Sequence, residues 1–193
     1  VNTPGPPGPI LDLSFPCSWR VEILPARPLI LPPRSYVYPV QADEVERGAL
    51  ELLISSSANS QPFLATCALG FRDPAVPTGI WSCPNADELC AVSGGYAYII
   101  DTAAPARFTM LPLRPALQIL TAPQQQLMLF VGHHSILAWG QNGLAWQSAK
   151  LSDEGLTIHG IDGATLHGRG WEMMSDKETP FSLDLRSGRE ITA

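Results

Sequence analysis

The chain of 193 residues is 45% hydrophobic and only 16% charged, which excludes an intrinsically disordered polypeptide and permits a substantial buried core. Its 18 acidic and 12 basic side chains leave a net charge of −6, and the basic residues are scattered singly, so no nucleic-acid partner is expected. No apolar run approaches the roughly 18 residues that span a bilayer, so no membrane partner is expected either.

Residues 1–9 are rich in Pro and Gly and read as a disordered, solvated tail, which leaves 10–193 as a single β domain. No basic, apolar, small-residue leader is visible, and the expected compartment is the cytoplasm. A secreted form stays open, because the chain starts at Val1. Between residues 10 and 40, Pro16, Pro25, Pro28, Pro32, Pro33 and Pro39 forbid a long helix. Short extended pieces fit the gaps at 20–24 and 35–38, as edge strands or ordered wrapping. Residues 43–54 hold the one helix candidate: Asp43 and Glu46 have capping-box spacing, and Val45, Ala49 and Leu52 share a face. Gly48 interrupts that pattern, while Leu50, Leu52 and Ile54 alternate, so the expectation is a strand over 49–55 entered through a helical turn.

The β signal sharpens downstream. Residues 63–71 can return antiparallel to 49–55, and Gly94-Gly95 separates strands at 89–92 and 96–101 as a tight hairpin turn would. Residues 127–131 and 135–140 flank Gly132-His133-His134. Asn142-Gly143 and Asp162-Gly163 are strong hairpin signals, and both glycines are expected at positive φ. Read as two-residue loops, they place Trp139 opposite Trp146, His159 opposite Leu166, and Ile158 opposite His167. A last strand covers 181–185, before a turn at 186–189. Around Asp162-Gly163, Leu156 and Ile158 fall on one face and Ile161, Ala164 and Leu166 on the other, so a sheet of this kind is expected to need neighbours on both sides.

Three segments repeat an apolar strand, a Gly-centred turn and a second apolar strand: residues 89–101, 127–139 and 156–171. The stretch from Phe181 through Asp184 to Gly188 has the strand, Asp, turn, Gly ending of a blade. Across about half the chain this resembles the β-propeller blade repeats of the WD and quinoprotein kinds, although the Gly-His and Trp-Asp signatures are absent. The resemblance implies an all-β, propeller-like fold with little helix; a β-sandwich is the alternative, followed by a closed barrel.

For chemistry, the sequence offers no nucleophile elbow, no phosphate loop and no cofactor signature, and enzymatic activity stays undecided. The cysteines Cys17, Cys67, Cys83 and Cys90 form no Cys-x-x-Cys pair; they read as reduced and structural, with a Cys83–Cys90 bridge as the alternative. His133, His134, His159 and His167 are imidazoles of metal-ligand type, but the hairpin register disperses them, and no metal site is assigned. The most distinctive local sequence is Gly168-Arg169-Gly170-Trp171, followed by Glu172, Asp176 and Glu178. Its glycines permit close backbone approach, and Trp171 offers a wall for a ligand. Arg169, Trp171, His133 and His134 are therefore the candidate ligand-binding residues. Glu172, Asp176 and Glu178 are weak catalytic candidates, since two carboxyls in one pocket would hydrolyse a glycoside. The leading expectation is a non-catalytic module that binds a protein through loops of a β scaffold. The alternative is a carbohydrate-active hydrolase with a small carbohydrate-like ligand.

Overall fold

The computed structural model describes residues 8–40 and 46–191. Among them the chain is all-β, and the only helical piece is a single 3-10 turn at Pro123–Gln125. Its contacts divide it into two compact units, Val1–Pro115 and Ala116–Ala193.

The first unit holds β1 (Ile10–Asp12), β2 (Trp19–Leu24), β3 (Ser35–Tyr38), β4 (Ala49–Ser56), β5 (Phe63–Ala68), β6 (Gly79–Ser82), β7 (Glu88–Ser93), β8 (Tyr96–Asp101) and β9 (Phe108–Met110). They form two sheets, of order β1-β6-β7-β8-β9 and β2-β4-β5-β3. The proline-rich segment gives the strands β2 and β3, and both are edges, where a missing N–H costs no ladder bond. β1 and β3 pair in parallel with β6 and β5, so the hairpin pattern is broken at two edges by strands arriving through long connections. Alternate residues of the two sheets share one core. Leu50, Leu52 and Ile54 of β4, with Phe63, Ala65 and Cys67 of β5, meet Ile80, Leu89, Ala91, Tyr98 and Ile100 of the other sheet. The polar ends of the large aromatics in and beside it are spent on backbone carbonyls: Tyr98 Oη donates to Ala68 O (3.0 Å), Tyr38 Oη to Pro105 O (2.7 Å) and Trp19 Nε1 to Glu88 O (3.0 Å). Each bond offsets the cost of burying a donor.

The second unit holds β10 (Gln118–Ala122), β11 (Leu127–Val131), β12 (Ile136–Gly140), β13 (Gly143–Gln147), β14 (Leu156–Asp162), β15 (Thr165–Glu172) and β16 (Lys177–Asp184). Here every sheet neighbour is the next strand in sequence: a four-stranded antiparallel meander of blade size, then a three-stranded one. Leu129, Val131, Ile136, Ala138 and Trp146 of the first pack with Leu166, Phe181 and Leu183 of the second. The expected propeller-like assembly of antiparallel hairpins and meanders thus describes the sheets well.

Several local expectations need correction. The helical turn expected before β4 falls partly on residues 41–45, outside the described residues, as does most of the N-terminal tail. The turn near Asn142 is made by Gln141 and Asn142, with Gly140 paired to Gly143. A bulge then follows between Ala138 and Trp139, so Trp146 faces Ala138 and Trp139 faces Leu144. The next turn is likewise displaced, to Gly163-Ala164, with Asp162 paired to Thr165. Ile161 lies opposite Leu166 and Gly160 opposite His167, and His159 sits at a bulge. Both glycines do take positive φ, +106° at Gly143 and +54° at Gly163. The displacement arises because a positive-φ glycine can follow a turn, as Gly143 does, or open it, as Gly163 does. All four cysteines are unbridged.

Candidate functional site

The residues singled out by sequence gather around one end of the β14-β15-β16 sheet, where a short strap at residues 150–153 crosses β15. Gly170 makes the crossing possible. A Cβ there would lie 2.1 Å from Leu151 O and 2.9 Å from Ser152 Cβ. Gly168 has the same role earlier in the strand, where a Cβ would meet the Phe181 ring at 2.5 Å and Thr157 O at 2.7 Å. The two glycines around Arg169 are thus demanded by close approach, as expected, but the approaching groups belong to this chain.

The strap is fixed mainly through Ser152, which is buried. Its Oγ accepts from Trp171 N (2.9 Å) and Glu154 N (3.1 Å) and donates to Trp171 O (3.1 Å). Asp153 N donates to Trp171 O (2.8 Å), and the Asp153 carboxylate accepts from Met173 N (2.7 Å) while pairing with Lys150. The Lys150 and Met173 hydrogen bonds hold the Asp153 carboxyl below the usual carboxylate range. His134 closes the other side: its O accepts from Leu151 N (2.7 Å), and its Nδ1 lies 3.2 Å from Ser152 O. Between strap and hairpin lies a cleft of about 250 Å³, lined by residues 150–153, 170–172 and 179–181 and by Glu190. Among these described residues Lys150 is the one cation, against Asp153, Glu172 and Glu190.

The weak catalytic candidates are not brought together as a pair. In the β15–β16 register Glu172 faces Lys177 and Trp171 faces Glu178, so Glu172 and Glu178 occupy opposite faces of the hairpin. Glu172 accepts from Ser175 Oγ (2.7 Å), and Glu178 pairs with Arg169 at 3.5 Å. Asp176 sits in the connecting turn at φ 51°. Of the three, Glu172 alone lines the cleft. The same alternation puts the Trp171 side chain on the Arg169 face, so its engagement with the strap runs through its backbone and not through an indole wall.

Of the other candidates, His134 joins the cleft margin and His133 is exposed beside it, with ring centroids 6.0 Å apart. His167 faces away and meets Ser182 Oγ at 2.9 Å. Sequence reasoning missed the strap and Glu190, which reach the hairpin only through tertiary contact. The one available signal was Gly170 itself, a strand glycine marking close backbone approach. The Met173-Met174 turn projects beside the cleft, with Met173 63% and Met174 93% exposed.

Cys67, Cys83 and Cys90 all lie in the first unit, where burial pushes each thiol well above its ordinary range. No described helix is long and apolar enough to cross a membrane.

No protein family and no curated protein matches the chain. Among solved structures, the crystal structure of the N-terminal domain of Nup159 aligns with 96% of this chain and 53% of that one, at 11% identity and a TM-score of 0.38. The chain therefore spans about half the length of that domain.

Proposed function

We propose that the chain is a non-catalytic binding module that docks a protein segment against the strap end of its second unit. The observation behind this reading is the Met173-Met174 turn, two consecutive exposed apolar side chains beside a cleft whose charged lining is mainly carboxylate. Methionine is flexible and polarizable, and it recurs on surfaces that adapt to apolar partner side chains. A segment presenting a cation next to an aliphatic residue complements both features, the cation in the cleft and the aliphatic group on the turn. His133 and His134 border the same surface and supply rim contacts. Arg169 and Trp171 support it from the opposite face of β15. The dispersal of Glu172, Asp176 and Glu178 argues against the hydrolase alternative, since glycoside hydrolysis needs two carboxyls about one bond.

The test is fluorescence-anisotropy titration of short peptides carrying Lys or Arg beside Leu. Binding that weakens as salt rises, and weakens about tenfold in the Met173→Ser/Met174→Ser double variant, is expected; that factor is ~1.4 kcal/mol. Equal binding by wild type and double variant would remove the proposal.

A further inference from the structure

The first unit carries a second concavity, independent of the strap. A cleft of about 390 Å³ lies where β2 and β5 finish and β4 begins. Pro9, Ile23, Leu24, Pro25, Leu50 and Leu69 give it mainly apolar walls. Ser93, the last residue of β7, is among the residues lining it. Strand alternation places Ser93 on the same face as Leu89 and Ala91, so its side chain points between the sheets. The residue is 0% exposed, and its Oγ has no hydrogen-bond partner among the described residues. A buried hydroxyl left unpaired costs roughly 1–3 kcal/mol. The neighbouring polar groups are already committed: Thr78 Oγ1 accepts from Gly94 N (2.9 Å), and Gly70 N donates to Ser93 O (3.0 Å).

Charge restricts what could pair with Ser93. Among the described residues, the only ionisable one lining the cleft is Glu51. Its side chain lies on the sheet face opposite Leu50, and its carboxylate accepts from Thr66 Oγ1 at 2.7 Å. Among the described residues, the cleft therefore presents no cation to a ligand, and its one carboxylate is already engaged by Thr66. We propose that it binds a neutral, mainly aliphatic small molecule whose single oxygen accepts a hydrogen bond from the Ser93 hydroxyl. The volume is in the range of small-molecule pockets, in which apolar walls supply affinity and a few polar groups fix orientation. The cleft shares no lining residue with the proposed protein-docking surface, so either proposal can fail without the other.

Methyl hexyl ketone is a suitable probe, titrated into the full chain with methyl-labelled Ile and Leu and followed by NMR. Saturable shifts are expected at Ile23, Leu50 and Leu69, with Leu183 of the second unit unmoved. Ser93→Ala removes the donor and should weaken binding about fivefold, a loss of ~1 kcal/mol. The same substitution should leave the unfolding midpoint unchanged or raise it, since it deletes an unpaired polar atom. Ile23→Trp, at the half-buried mouth, should abolish the shifts while the chain stays folded. Absence of saturable shifts would overturn the inference. So would undiminished binding by Ser93→Ala, or a clear loss of stability in that variant, which would make the hydroxyl structural.

Discussion

Replacing Gly170 by alanine tests whether the strap is built on backbone contact. Gly170 is not among the positive-φ glycines, so the substitution carries no conformational penalty of that kind and its effect is steric. The added carbon would sit 2.1 Å from Leu151 O and 2.9 Å from Ser152 Cβ, and neither is the end of a flexible side chain. The strap must therefore lift. Four bonds tie it to the neighbourhood of Trp171: the two between Ser152 Oγ and the Trp171 backbone, Asp153 N to Trp171 O, and Met173 N to Asp153. At about 1 kcal/mol net for each bond, partial loss plus overpacking gives a destabilisation of roughly 3 kcal/mol. Urea unfolding should show a lower midpoint at unchanged m, and the melting temperature should fall by roughly 6–12 °C for a chain of this size. Ser152→Ala should cost ~1–3 kcal/mol, and the double variant should cost less than the sum, because both changes break one contact. A Gly170→Ala variant within ~0.5 kcal/mol of wild type, or strict additivity, would refute the reasoning.

Two further outcomes follow from the buried and hydrogen-bonded titrating groups. A disulfide-exchange reagent at mildly alkaline pH should modify only the half-buried Cys17 in the folded protein and all four thiols in denaturant. Rapid native reaction of Cys67, Cys83 or Cys90 would contradict their burial. Asp153 is held below its usual pKa by Lys150 and Met173, and Asp184 by Ser187 and Arg186. Depressed folded-state values mean that this contribution is complete above the unfolded value near 4 and is lost as pH falls through the folded value. Stability should thus decline in acid below about pH 4, and Asp153→Asn with Asp184→Asn should flatten that decline. An unchanged acid profile would count against these bonds.

What could be read in advance tracks how local the determining interaction is. Gly94-Gly95 placed its hairpin correctly, with Ser93 opposite Tyr96, because a two-glycine turn specifies its own register. Alternation likewise located β4, while β2 and β3 were placed in the gaps between prolines and β5 as the apolar stretch returning against β4. The hairpin at Asn142-Gly143 was recognised, but its register was not, since the bulge between Ala138 and Trp139 adds a residue that period-two reasoning cannot count. The site divided in the same way. The special character of Gly168 and Gly170 was visible as a strand anomaly, whereas their partners Phe181, Leu151 and Ser152 are chosen by tertiary packing. The side-chain directions of Trp171, Glu172 and Glu178 depended on the register of β15 against β16. Nothing in the sequence around Ser93 distinguishes an orphaned hydroxyl from a satisfied one.

The contrast between the two strand orders also has a kinetic consequence. Each sheet of the second unit is a run of consecutive hairpins, so its loops close over short distances and every pairing can zip from the last. In the first unit, β1 finds its place only against β6, far along the chain, and Gly79 admits it with Ile10 O 2.3 Å from where a Cβ would stand. That strand cannot dock on the ribosome until β6 has emerged. The N-terminal half, although made first, should be the slower to complete, and its last event should be the seating of its own beginning.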